Sequence, residues 1–279
     1  MPVANVFNLS IAAGVVPQQW KAAVITPIPK VSQPSQPSDF RPISITPIVS
    51  RVMEKCVVRS YIYPALQDPP AGLDFRDQYA FRQSCSTTAA LISLIHTVLS
   101  LLGTKYVCII VLDFSKAFDT VRHSKLFDKL SMMNLLDAVY NWIQDFYSGQ
   151  THCTRYGGDI SQLTTILASN VLGSGLGPAS FIVTNADLQP VHGGNSILKY
   201  ADDTYLVVLD ANEDTYESEL MHVYDWAAAN NLTLNCAKSK ELVFCVRGCA
   251  EGLCNLHHRA AELSASKVSA FSVLWLMTG

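Results

Sequence analysis

Paired metal-ligating cysteines are missing from this sequence. Its eight cysteines lack ligand spacing, and Cys245, Cys249 and Cys254 have no partner pair to complete a zinc site. Read as reduced thiols, they fit an intracellular protein. A basic-then-apolar start of signal-peptide type is also lacking. The longest apolar helix, Thr87 to Leu102, carries His96 with several Ser and Thr and falls short of a bilayer span, so it is expected to be core, and no membrane partner is expected. No internal repeat stands out. Positive charge is not in excess either: the formal net charge is −3, which excludes a generally basic coat for nucleic acid.

What is present is apolar bulk and uneven charge. With 279 residues and 49% hydrophobic content, the chain can bury one substantial core or two modest ones. Residues 20–60 carry Lys21, Lys30, Arg41, Arg51, Lys55 and Arg59 against Asp39 and Glu54, whereas residues 201–225 carry eight acids and no Lys or Arg. A basic segment facing an acidic, metal-binding one fits a phosphate substrate gripped between them. Solvated helix faces account for the rest of these charges.

Tyr200-Ala201-Asp202-Asp203 lies between strand-like runs at Ser196–Lys199 and Thr204–Leu209. Adjacent carboxylates near apolar surroundings must be hydrated, paired or metal-bound. The pattern reads as a hairpin with the acids at its tip. It suits two divalent cations about 3.5–4 Å apart that activate a hydroxyl and stabilise a leaving phosphate. A plain polar turn is the simpler alternative for these residues taken alone. A second acid weighs against it. Tyr106–Leu112 is a continuous apolar, β-branched run ending at Asp113, which predicts a strand buried on both faces. Ser115 can cap a helix running on through Leu126 and Leu130. Magnesium takes hard oxygen ligands from a few carboxylates, and Asp113, Asp202 and Asp203 supply such a set. Asp119 reads as a surface helix residue.

Elsewhere the pattern predicts a helix over residues 3–13 stopped by Gly14. Short extended pieces follow at Ala22–Ile25 and Pro27–Lys30, then a polar, Pro-rich loop from Ser32 to Asp39. Further helices are predicted at 46–66, at 87–102 opened by Ser86, at 115–131, 135–147 and 179–188, and at about 213–230. A β-hairpin turns at Gly157-Gly158-Asp159, and Thr233-Leu234 with Glu241–Val246 form the last strand pair. Helices against one face of an antiparallel sheet give an α+β fold.

In this order the blocks resemble the reverse transcriptase of non-LTR (LINE-type, jockey-like) retrotransposons over roughly residues 5–246. Pro17-Gln18-Gln19-Trp20-Lys21 with Pro27-Ile28-Pro29-Lys30 resembles the first fingers block, and Asp39-Phe40-Arg41-Pro42-Ile43-Ser44 the second. Gln78-Tyr79-Ala80-Phe81-Arg82 with Ser86-Thr87-Thr88 resembles the third. Asp113-Phe114-Ser115-Lys116-Ala117-Phe118-Asp119 is similar to palm motif A, and Gly173-Ser174-Gly175-Leu176-Gly177-Pro178 to motif B. Tyr200-Ala201-Asp202-Asp203 is similar to motif C, and Trp226, Asn230–Asn235 and Lys238-Ser239-Lys240 to motif D. Each block is moderately specific; the ordered set is highly specific.

The resemblance implies a polymerase right hand with a ferredoxin-like palm: fingers over residues 1–102, palm over 103–246 with a second fingers segment at about 135–168, and a degenerate tail over 247–279 toward a thumb that is missing or vestigial. It implies an RNA-directed DNA polymerase with an RNA template, a DNA primer and dNTPs as partners. Two Mg²⁺ ions (Mn²⁺ as a substitute) would be held by Asp113, Asp202 and Asp203. Lys30 and Arg41 would clasp the triphosphate. Backbone N–H groups of Phe114, Ser115, Lys116 and Ala117 would hold phosphate oxygens. Phe118 would exclude a ribose 2′-OH, its alternative being an ordinary core aromatic. Lys238, with Lys240 as the other candidate, would give a proton to pyrophosphate. Leu172, Gly173, Ser174 and Tyr200 would lie along template and primer.

Three departures matter. The family usually has Gln where this chain has Leu172, and an apolar side chain cannot hydrogen-bond a base or sugar. The pattern also fades after Arg247, with Phe271–Leu276 faintly similar to the strand that leads to the thumb. The endonuclease and thumb of complete members are not in the sequence, so a retroelement fragment is expected. Its rivals are an inactive remnant that keeps the fold, an RNA-templated RNA polymerase (less consistent with an aromatic at 118), and a pure nucleic-acid-binding module, which would need no carboxylate trio.

Overall fold

The computed structural model describes residues 2–102, 106–115, 117–166, 173–245 and 272–277. Its chain divides into two compact units: residues up to 73 with 118–184, and residues 74–117 with those from 185 onward.

The first unit is built on a mixed sheet. Ala22–Pro29 pairs antiparallel with Phe40–Ile45 and parallel with Thr151–Tyr156, which turns back onto Asp159–Ile160. Gly157 and Gly158, both at positive φ, make that turn, and Gly14 (φ +62) ends the Pro2–Ala13 helix, both where the sequence predicts. The Asp137–Tyr147 helix buries Val139, Trp142, Ile143 and Phe146, spaced i, i+3, i+4, i+7 as one apolar face requires. The helix predicted over 46–66 is regular from Ile48 to Val57 and then widens at Val58–Ile62 into an i→i+5 turn. Pro64 has no N–H to return to Ser60, so the regular ladder cannot continue there.

The second unit carries a five-stranded sheet in the order Ser272–Met277, Lys240–Cys245, Tyr106–Leu112, Asp203–Leu209, Ser196–Tyr200. Tyr106–Leu112 is central and buried on both faces, as predicted. Val107 and Ile109 pack with Val98 of the Thr87–Leu101 helix, while Cys108 Sγ donates to Glu241 Oε1 (3.2 Å), whose carboxyl lies near enough to Tyr216 of the Tyr216–Ala229 helix to act, after burial, on its hydroxyl. Alternation along one strand therefore serves two layers.

Several expectations need correction. The sheet is not wholly antiparallel, because Ser272–Met277 joins Lys240–Cys245 in parallel. Thr233-Leu234 pairs with Phe114-Ser115 instead of with the 240–245 strand. The helix expected from Ser115 begins at His123, since Phe114 and Ser115 are drawn into that two-residue ribbon. The helix expected to reach Leu188 stops at Thr184. Beyond it the carbonyls of Asn185 and Ala186 accept Lys199 Nζ and the Asp74 N–H, and the Leu188 N–H returns to Asn185 as an i→i+3 turn instead of continuing the α-helical ladder. The Thr87–Leu101 helix is half core: Ala90 and Val98 are buried, but Leu91, Ile92, Ile95 and Leu99 are exposed. No helix among the described residues is long and apolar enough to cross a membrane.

Candidate active site

The three acids meet at one end of the second unit's sheet. Leu112 pairs with Thr204, and Tyr200 pairs with Asp203. Carrying the Leu112–Thr204 register one residue further sets Asp113 against Asp203, with Asp202 in the two-residue turn between the hairpin strands. Ala201, the first turn residue, has φ +57, the positive value that short hairpin loops demand and that an alanine adopts at a cost of ~1–2 kcal/mol. Asp113 is also held through its backbone. Its N–H donates to the buried Ser239 Oγ (3.2 Å) and its carbonyl accepts from the Asn235 N–H (2.7 Å). Lys238 is exposed in the turn that these two residues bracket, and Lys240 lies in the strand opposite Val111.

The charges feel one another. Burial is the largest cause holding the Asp202 carboxyl above the ordinary carboxylate range; a hydrogen bond from its own backbone opposes this, and the Asp113 charge adds to it. Asp203 is raised by lost hydration first, then by Asp202 and then by Asp113. Hard oxygen donors whose mutual repulsion a cation would relieve fit a divalent metal by chemistry. Among the described residues no three His, Cys, Asp or Glu groups are drawn together tightly enough to chelate an ion as they stand. Tyr200 and Asp203 also line a cavity of about 140 Å³ with Leu91, Leu94, Leu198 and Tyr205.

Phe114 and Ala117 are buried, and the Phe114 ring meets Trp226 edge-on at 6.0 Å. Because Phe114-Ser115 is a paired strand, the helix N-terminus expected to hold phosphate there is not formed. Lys116 lies outside the described residues.

The remaining predicted residues belong to the first unit. Ile28 is opposite Arg41, and the Lys30 N–H bonds the Asp39 carbonyl at 2.7 Å. Lys30 is two residues from Ile28, so both cations project from one face of the hairpin, and both are exposed. Lys30 Nζ touches the Ser38 carbonyl (3.0 Å). Phe118 stacks on the buried Phe181, with centroids 4.2 Å apart. Gly173 has φ +99, and Ser174, buried, accepts the Gly177 N–H at 2.8 Å and so caps the Gly177–Thr184 helix. Leu172 lies outside the described residues.

Sequence reasoning missed Glu54. Fully buried, its Oε2 accepts the N–H groups of Gly175 (2.6 Å) and Leu176 (3.1 Å), and Ser50 donates to Oε1 (2.8 Å). Burial raises its carboxyl, against these hydrogen bonds. The signal was its spacing: Ser50, Met53, Glu54 and Val57 form the buried stripe of the Ile48–Val57 helix.

Residues 28–270 match the family described as reverse transcriptase (RNA-dependent DNA polymerase). The chain belongs to the reverse transcriptase family. It is similar to the probable RNA-directed DNA polymerase from transposon X-element of Drosophila melanogaster (28% identity over 87% of this chain and 27% of that protein). It is also similar to the RNA-directed DNA polymerase from mobile element jockey of the same species (26%; 88% and 28%). A third relative is a Pol polyprotein from type-1 retrotransposable element R2 of Popillia japonica (26%; 90% and 35%). The chain thus spans roughly a quarter to a third of these relatives' lengths. Among solved structures it resembles apo telomerase from Candida tropicalis (TM-score 0.55, 15% identity, 87% of this chain and 54% of that one). The telomerase of that species in complex with a telomeric RNA fragment is also similar (TM-score 0.57, 11% identity, 87% and 44%). That likeness shows the α+β fingers-and-palm fold of this chain.

Proposed function

We propose that this reverse transcriptase carries out template-directed nucleotidyl transfer on an RNA template: a DNA primer 3′-OH attacks the α-phosphate of a dNTP and pyrophosphate leaves. The observation that carries the proposal is the meeting of Asp113, Asp202 and Asp203 at one sheet end, close enough for their charges to interact. We read the unit with these acids as palm and the unit with Lys30 and Arg41 as fingers. Two Mg²⁺ ions, or Mn²⁺, when bound there supply charge neutralisation at the phosphates and a lowered pKa for the primer hydroxyl. Asp113, Asp202 and Asp203 bind and orient them. Lys30 and Arg41 grip the triphosphate, Arg41 by paired N–H donation. Lys238 returns a proton to the leaving pyrophosphate. Primer extension by the purified chain with Mg²⁺ or Mn²⁺ tests the reading; no product under either metal from a folded protein would count against it.

Phe118 is assigned the sugar gate. Its ring is fixed against Phe181, which keeps it from yielding to a 2′-OH. Phe118→Val is expected to lower the preference for dNTP over rNTP by ~10–10²-fold, the worth of one filled hydrophobic slot. An unchanged ratio in an active enzyme would return Phe118 to a packing role.

A second reading, an inactive remnant, would rest on Leu172 in place of Gln. Leu matches Gln in volume but removes both hydrogen-bonding roles of the amide, and misplacement by ~1 Å near reacting atoms costs ~10²-fold. Leu172→Gln is expected to raise extension by about that factor at matched protein concentration, with circular dichroism confirming equal folding. Equal rates would absolve this position.

A further inference from the structure

We propose that Gln78 is a positioning residue that sets the conformation of the Ala201–Asp202 turn and thereby the aim of Asp202 and Asp203. Two observations join. Ala201 is held at φ +57, where a residue with a Cβ persists only if its surroundings dictate it. The two-residue hairpin asks for that value, and one side chain secures it. Gln78 Oε1 accepts the Ala201 N–H at 3.0 Å, and Nε2 reaches the Ala201 carbonyl at 3.5 Å, so the amide addresses both polar groups of the strained residue. The same Oε1 accepts the Ala80 N–H at 2.9 Å, which fixes the rotamer.

Gln78 is itself immobilised. It is 2% exposed. Its neighbours run parallel to the outer hairpin strand: the Tyr79 N–H donates to the Lys199 carbonyl (2.8 Å) and the Lys199 N–H to the Asp77 carbonyl (2.7 Å). Beneath them Lys199 Nζ, 1% exposed, pairs with Asp77 Oδ2 (2.8 Å), which Gln189 also reaches (2.9 Å). A buried ion pair with added hydrogen bonds makes a rigid base for a neutral amide that touches the turn without adding charge beside two carboxylates. An acid in this position would add repulsion, and an aliphatic residue would leave the Ala201 N–H unsatisfied.

The proposal rests on the polymerase reading for its purpose, and the test separates the two. Residue-resolved amide hydrogen exchange and Mn²⁺ binding, followed by the electron paramagnetic resonance of free Mn²⁺, are measured on the full chain. The parent is compared with Gln78→Met, Gln78→Glu and Asp202→Asn. In Gln78→Met, which keeps the shape and loses the hydrogen bonds, the Ala201 amide is expected to exchange at least ~10-fold faster, with Val207 and Val208 unchanged, and Mn²⁺ affinity to fall ~10-fold; both follow from the loss of one buried acceptor. Gln78→Glu, which keeps the accepting oxygen, should retain parent-like protection at Ala201. Unchanged Ala201 exchange in Gln78→Met overturns the proposal, as does faster exchange with parent-like Mn²⁺ affinity. A parent that binds Mn²⁺ no better than Asp202→Asn would overturn the metal reading of the acids, while the exchange comparison would still decide whether Gln78 sets the turn.

Discussion

Asp202→Asn is expected to abolish primer extension, by at least ~10³-fold, while melting no lower than the parent at neutral pH. The first half follows from the loss of a charged metal ligand, which should exceed the ~10²–10³-fold that removal of one oxyanion donor costs. The second half follows from the direction of the titration shifts. Asp202 is raised by burial and by Asp113, and Asp203 by burial, Asp202 and Asp113. A carboxyl raised in the folded state holds its proton to higher pH than the unfolded chain does. Its contribution to stability is therefore most favourable at low pH and falls as pH rises from the ordinary carboxylate value through the raised one. Asn removes the Asp202 share of that fall and part of the raise on Asp203. The variant's melting temperature should vary less over this window, and Mg²⁺ should raise it less than it raises the parent's. Thermal melts from pH 4 to 8, with and without Mg²⁺, check both slopes. A variant that still extends primers, or one that melts well below the parent at pH 7, would show that Asp202 is held for packing.

The placement of the three acids was more legible than the scaffold that carries them. Asp113 could be found because an apolar, β-branched strand ended on it, and Asp202 and Asp203 because two acids broke an apolar hairpin. Those are local patterns, and local patterns set strands and turns. The partners were not local. Thr233-Leu234 looks like half of a terminal strand pair, yet it binds Phe114-Ser115, because a two-residue strand carries too little pattern to name its partner. Lys199 sits in a strand with Ile197 and Leu198 and gives no hint that Asp77 completes it. Glu54 reads as one more charge in a basic stretch until its helical spacing with Met53 and Val57 places it on the buried face. For Lys199 and Glu54 a polar group was buried with a distant partner, and sequence separation hides such pairs even when each residue's exposure can be guessed.

Gly173→Ala tests how tightly the loop before the Gly177–Thr184 helix is built. A Cβ at Gly173 would lie 2.3 Å from the Ser44 carbonyl oxygen, and φ is +99, so both contact and backbone oppose a side chain. The oxygen cannot swing aside, because Ser44 is paired with Ile25 in the sheet. The loop cannot drift away either, because Glu54 holds the N–H groups of Gly175 and Leu176. Gly158 supplies the control: its φ is +95 and nothing lies within 4 Å of a Cβ built there. Gly158→Ala is expected to cost ~1–2 kcal/mol, the left-handed strain alone. Gly173→Ala should cost ~2–5 kcal/mol, strain plus forced overlap, in urea unfolding. Extension should fall further than stability explains, by ~10²-fold, since the loop must shift by a sizeable part of an ångström to admit the methyl group. Equal losses for the two variants would mean that the loop slides away from Ser44 freely, and that Glu54 does not anchor it.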